Sequence, residues 1–135
     1  MHPIAFQESK IEFSASIYEL GERGDRIDAV VVRFEGCYGY GSLGNGDASY
    51  MIAMRNYVID CVIPSAIVFD LSSLEYEWGN AIWGLFSCDD IPVATVTSNK
   101  CLGLSGMAPT FSSVELALEH VRSLAKEYDR RLLDE

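Results

Sequence analysis

Ala66-Ile67-Val68-Phe69-Asp70 runs without a polar residue until its last position. A short continuous apolar run of this kind, with no alternation, suits a strand covered on both faces, the usual condition of a parallel sheet. Its surroundings extend the pattern. Upstream, Met51, Met54, Val58, Cys61 and Val62 recur at helical spacing. Pro64 stops that helix, because it has no N–H to donate and its ring clashes with the preceding turn. Asp47 stands where the helix begins, and its carboxylate is expected to cap the freed amides. Further upstream, Ile11, Phe13, Ala15 and Ile17 alternate with Glu12, Ser14, Ser16 and Tyr18, which predicts a half-buried strand. Gly21-Glu22-Arg23-Gly24-Asp25 is turn chemistry, and the run Ala29-Val30-Val31-Val32-Arg33-Phe34 after it predicts the second arm of an antiparallel hairpin.

Downstream, Ala81, Ile82, Leu85 and Phe86 predict a short amphipathic helix, and Pro92-Val93-Ala94-Thr95-Val96-Thr97 another strand. Ser112-Ser113-Val114-Glu115 reads as a capping box, the serine hydroxyl serving one amide while the glutamate reaches back to the cap. Behind it Val114, Ala117, Leu118, Val121, Leu124, Ala125 and Tyr128 form one apolar stripe. The expected fold class is therefore α/β. A single domain over residues 1–135 starts with an N-terminal β-hairpin and continues α-β-α-β-α. Its sheet is mixed and mostly parallel, with helices packed against it.

Composition narrows the function. The 135 residues are 49% hydrophobic, which fits a globular domain rather than a disordered chain. Twenty acidic against ten basic residues leave a formal charge of −10. Such a surface repels phosphate backbones and anionic lipid, so neither nucleic acid nor membrane is an expected partner, whereas a basic protein is. No uncharged stretch approaches the ~20 residues a membrane-spanning helix needs. Met1-His2-Pro3-Ile4 has neither a basic nor an apolar signal region, and a cytoplasmic protein is expected. Cys37, Cys61, Cys88 and Cys101 form no CxxC pair, so reduced thiols are expected rather than a zinc knuckle.

Catalytic and metal-binding constellations are lacking. His2 is terminal, and His120 falls off the stripe of the last helix, on its surface. No GxSxG elbow accompanies it, and no His, Cys or carboxylate pair has a ligand spacing. No catalytic residue, metal or cofactor is expected. Two regions invite attention instead. Gly36 to Gly46 holds five glycines in eleven residues and contains Gly39-Tyr40-Gly41-Ser42-Leu43-Gly44, a formal GxGxxG between a strand and a helix. Glycines there let backbone amides approach a phosphate. The same loop, with Tyr38 and Tyr40 beside glycines, also reads as an exposed recognition loop. The second region is electrostatic. Residues 56–99 contain no Lys or Arg, and carry Asp60, Asp70, Glu75, Glu77, Asp89 and Asp90, a net −6. Asp70, Glu75 and Glu77 follow the buried strand with Tyr76 and Trp78 among them, a plausible binding edge at the carboxyl end of a parallel strand.

The run Ala66-Ile67-Val68-Phe69-Asp70-Leu71-Ser72-Ser73-Leu74-Glu75-Tyr76 resembles the central strand and loop of STAS domains, the sulphate-transporter and anti-sigma-antagonist family. The resemblance continues through Asp90-Ile91-Pro92-Val93-Ala94-Thr95-Val96 and Phe111-Ser112-Ser113-Val114-Glu115-Leu116-Ala117-Leu118, covering about residues 66–122. It implies a small α/β domain that binds proteins or small ligands. Regulated members carry a phosphorylatable serine at the start of the following helix. The corresponding residues here, Glu77-Trp78-Gly79-Asn80, include none, so no phosphosite is carried over. The glycine loop, the strand ending at Phe69 and the segment Ser98–Gly106 also resemble a crotonase arrangement, in which backbone amides stabilise an enolate.

The expected function is a non-enzymatic acidic module that blocks a basic protein partner. An immunity protein neutralising a cognate bacterial toxin is the first expectation. Tyr38, Tyr40, Asp70, Glu75, Tyr76, Glu77 and Trp78 are its expected contact residues. The alternatives are a STAS-like regulatory module of the anti-sigma-antagonist type, and a small nucleotide- or acyl-CoA-binding enzyme using the Gly36–Gly46 loop.

Overall fold

Strand β1 (Glu12–Glu19) pairs antiparallel with β2 (Asp28–Cys37), in unbroken register from Glu12 opposite Glu35 to Glu19 opposite Asp28. The structure, a computed structural model, describes residues 1–4, 9–21, 27–104 and 108–134. Residues 22–26 of the predicted turn, and 105 and 106 of Ser98–Gly106, lie outside these. Helix α1 (Asn45–Val62) then leads to β3 (Ala66–Asp70), which lies parallel to β2. A two-residue β4 (Leu74–Glu75) and a 3-10 helix over Ala81–Phe86 precede β5 (Val93–Val96). The short β6 (Thr110–Phe111) and helix α2 (Val114–Leu133) complete the chain. The sheet order is β1-β2-β3-β5-β6, parallel in every pair but the first, and β4 pairs with the far end of β2. This is a small α/β domain whose mixed, mostly parallel sheet carries helices on both faces and opens with a hairpin.

Strand alternation divides the core in two. Val30, Val32, Phe34, Ile67 and Phe69 pack with α1 and the 3-10 helix. Ala29, Val31, Ala66, Val68, Ala94 and Val96 pack with Ala117, Val121 and Ala125 of α2. The second face is built of small side chains, which lets α2 lie close against β3 and β5. All five residues of β3 are buried, as a strand covered on both sides requires. Fully burying one side chain such as Phe69 stabilises the fold by about 1.5–3 kcal/mol.

Several local expectations are corrected. β1 is not half-buried: Phe13 packs on Phe34, but Ile17 remains 58% exposed, because β1 forms the sheet's margin and has a neighbouring strand on one side only among the described residues. α1 begins at Asn45, so Asp47 lies in its first turn and does not cap it. Cys61 is exposed on α1, and the buried position between Met51 and Val58 is Arg55. The 81–86 segment is a 3-10 helix. The α2 cap is Ser113, whose hydroxyl accepts from the Leu116 amide at 3.2 Å. The residue three beyond this cap is then Leu116, which has no acceptor, so the reciprocal half of a capping box cannot form. On α2, Leu124 is exposed, whereas His120 lies on the surface as expected, its ring tilted against Phe111.

Candidate binding cleft

Three segments meet at the carboxyl end of β2 and β4. β2 runs past its partner β3 and pairs Gly36 and Cys37 with Leu74 and Glu75. The pairing continues as Tyr38 donates to the Glu75 carbonyl at 2.9 Å and Gly41 to that of Trp78 at 3.2 Å. From the other side, the Tyr76 amide donates to the Lys100 carbonyl at 3.0 Å, which ties the 98–104 loop to the same edge. The glycine loop and the acidic edge are thus laced together by backbone bonds, and a cleft of about 370 Å³ opens between them. Tyr40, Glu75, Glu77, Cys37, Asn99 and Lys100 are exposed around it.

The glycines have specific work here. Gly41 has a positive φ of 53°, and the Trp78 ring lies where its Cβ would stand. A Cβ on Gly44 would collide with the Tyr38 ring. These close approaches explain the glycine spacing without a ligand. The Asp47 carboxylate accepts from the Gly39 amide at 3.0 Å and from the Ser9 hydroxyl at 2.6 Å. A carboxylate therefore occupies the helix entrance that a pyrophosphate would need.

The expected contact residues separate on burial. Tyr40 is 52% exposed and Trp78 61%, and Glu75 and Glu77 are exposed beside them. Tyr38 is buried, contrary to its placement on an exposed recognition loop. Its ring slides under the glycines and meets Tyr76 at 5.2 Å. Tyr76 is buried too, and its hydroxyl donates to the Gly79 carbonyl. Asp70 is also buried and does not join this edge. It accepts from the Ser72 hydroxyl at 2.6 Å and amide at 3.1 Å, forming a turn that closes β3. Tyr38 and Tyr76 support the cleft from beneath, whereas Tyr40, Glu75, Glu77 and Trp78 are exposed.

The six carboxylates of residues 56–99 do not form one face. Glu75 and Glu77 line this cleft, Asp60 and Asp89 line another beside Arg55, and Asp70 is buried. The electrostatics of the main cleft are nevertheless negative. The Cys37 thiol donates to Glu75 at 3.0 Å, and its pKa is raised first by that bond, then by the charges of Glu75, Asp47 and Glu77. Sequence reasoning missed Cys37, Asn99 and Lys100. Cys37 and Glu75 meet only through the β2–β4 register, which no local pattern announces. Lys100 carried one signal, as the first cation after the uncharged-to-acidic stretch.

The four cysteines are free thiols, Cys37 and Cys61 exposed, Cys88 and Cys101 buried. Among the described residues no group of three His, Cys, Asp or Glu could hold a metal ion, and no helix is long and apolar enough to cross a membrane. No protein-family model matches the chain, and no curated protein matches it significantly.

Proposed function

We propose that this chain is a non-enzymatic binding module that blocks a basic protein partner, in the manner of a bacterial immunity protein neutralising its cognate toxin. One observation carries the proposal: exposed Tyr40 and Trp78 stand near exposed Glu75 and Glu77 at the carboxyl end of β2 and β4. Large aromatic side chains anchor interfaces, because they bury much area at low entropic cost. Carboxylates beside them select a basic partner, and the formal charge of −10 steers it. The Asp47 carboxylate at the glycine loop favours this role over a phosphate-binding one.

The test is capture from a lysate of the source organism by the wild-type chain and by a Trp78→Ala/Glu77→Gln double variant, followed by kinetics with the captured protein. A basic protein retained by the wild type alone is expected. Its association rate falls steeply as salt rises, and its own activity is inhibited. Salt-independent association, or retention undiminished by the double variant, would contradict the proposal. Capture of a kinase or sigma-type regulator would favour the STAS-like alternative. A thermal shift with a nucleotide or acyl-CoA would favour the enzyme.

A further inference from the structure

The cleft at the carboxyl end of β2 and β4 offers two chemistries at one opening. Glu75 and Glu77 line it, with Tyr76 buried between them. Tyr40 lines it from the glycine loop and is half exposed. A second exposed ring, Trp78, rests on Gly41, the residue after Tyr40. Among the described residues neither glutamate forms an ion pair, and the one side chain that donates to either is the Cys37 thiol, a weak donor, on Glu75. Lys100 lines the cleft too, again without an ion pair among the described residues, so two carboxylates against one ammonium leave a formal −1. Backbone bonds from Tyr38 to Glu75, from Gly41 to Trp78 and from Tyr76 to Lys100 fix the walls. At about 370 Å³ the cleft has room for one extended side chain rather than a folded element.

We propose, building on the basic-partner reading of this cleft, that it selects arginine over lysine. One arginine side chain of the partner enters, its guanidinium held by Glu75 and Glu77 and lying against the Tyr40 ring. Trp78 offers a second ring to a neighbouring residue of the same segment.

Charge alone would draw lysine and arginine alike, so the choice between them falls to the rest of the lining. A lysine ammonium is a compact, strongly hydrated point charge. A guanidinium is planar and more weakly hydrated, gives parallel N–H donors to a carboxylate, and stacks flat on an aromatic face. Two carboxylates and an exposed ring in one cleft answer each of these properties. A fixed cleft also favours the more rigid head group, which loses less freedom for each hydrogen bond formed. Lys100 sets the count, because a single guanidinium brings the formal −1 to neutrality and a second would meet the ammonium.

The decisive measurement uses the full chain and two probes of equal charge, tetra-arginine and tetra-lysine, titrated by calorimetry at about 0.05 M salt, where surface charges are weakly screened. Tetra-arginine is expected to bind about two- to five-fold more tightly. Tyr40→Phe keeps the ring and is expected to retain that preference, whereas Tyr40→Leu is expected to lose it. Glu75→Gln/Glu77→Gln is expected to weaken both peptides, and Lys100→Gln to tighten both. All four residues are exposed, so these substitutions leave the core untouched. Equal binding of the two peptides, or a preference that survives Tyr40→Leu, overturns arginine selection while leaving a charge-steered basic partner in place. Undetectable binding of tetra-arginine overturns it as well. The basic-partner reading then stands or falls separately, on capture and its salt dependence.

Discussion

At the residue scale, Tyr38 carries its hydroxyl into the interior beneath the glycine loop. Burial, reinforced by Tyr76 and Asp47, pushes its pKa up to about 12. In the unfolded chain the same group ionises near its usual value of about 10. Between pH 10 and about 12 the unfolded state therefore binds fewer protons than the folded state, and stability falls as pH rises through that window. Thermal unfolding followed from pH 8 to pH 11 is expected to show Tm dropping above about pH 10. Tyr38→Phe is expected to flatten part of that drop. Cys37 offers a second check. Its thiol is held protonated chiefly by its bond to Glu75, so Glu75→Gln is expected to speed alkylation of Cys37 by iodoacetamide at pH 8. Unchanged alkylation would mean that the Glu75 charge does not reach the thiol. The aromatic identity of Tyr38 was visible in the sequence. Its burial was not, because the same residue beside glycine suits a surface loop and a ring wedged under one.

At the scale of elements, the least expected join is between α1 and the 3-10 helix. Arg55 sits at a buried position of α1 and donates to the carbonyls of Gly84, Leu85 and Ser87 at 2.7, 2.8 and 3.1 Å. These carbonyls end a short helix; Gly84 and Leu85 accept weakly from the Ser87 amide and the Cys88 thiol as well, and the guanidinium adds charged donations to all three from a neighbouring element. Arg55→Met keeps the apolar stem but removes the charged donations to three carbonyls, and is expected to cost about 2–4 kcal/mol in denaturant unfolding. Arg55→Lys, with one point charge instead of a planar fork, is expected to restore only part of it. Helical spacing on α1 was legible through Met51 and Val58. An arginine among them reads as a surface residue until the partner carbonyls, some thirty residues away, are in place. The hairpin, the buried β3 and the α2 stripe were legible because their patterns are local. β4 and β6 have two residues each, too few for any periodicity to register.

At the scale of the whole molecule, net charge sets the response to salt. A formal charge of −10 on 135 residues repels itself and repels a second copy, while attracting a basic partner. Raising NaCl from about 0.05 M to about 0.5 M shortens the screening length several-fold. Over that range the association rate with a basic partner is expected to fall, with stopped-flow as the readout. An unchanged rate would mean that the net charge does not govern the contact.

Composition and periodicity determined the class of this protein by themselves: an acidic α/β domain with a leading hairpin, a doubly covered central strand and a long final helix. These features depend on which side chains lie two, three or four positions apart, and so they are written locally. The cleft was decided by tertiary structure. Tyr40, Glu75 and Lys100 meet there because β2 runs beyond β3 to pair with β4, and because the 98–104 loop hangs on the Tyr76 amide. The separation of Asp60, Asp70 and Asp89 from this cleft was decided in the same way. Sequence counts charge along the chain, but a field depends on distances in space, and those are set only when the strands choose their neighbours.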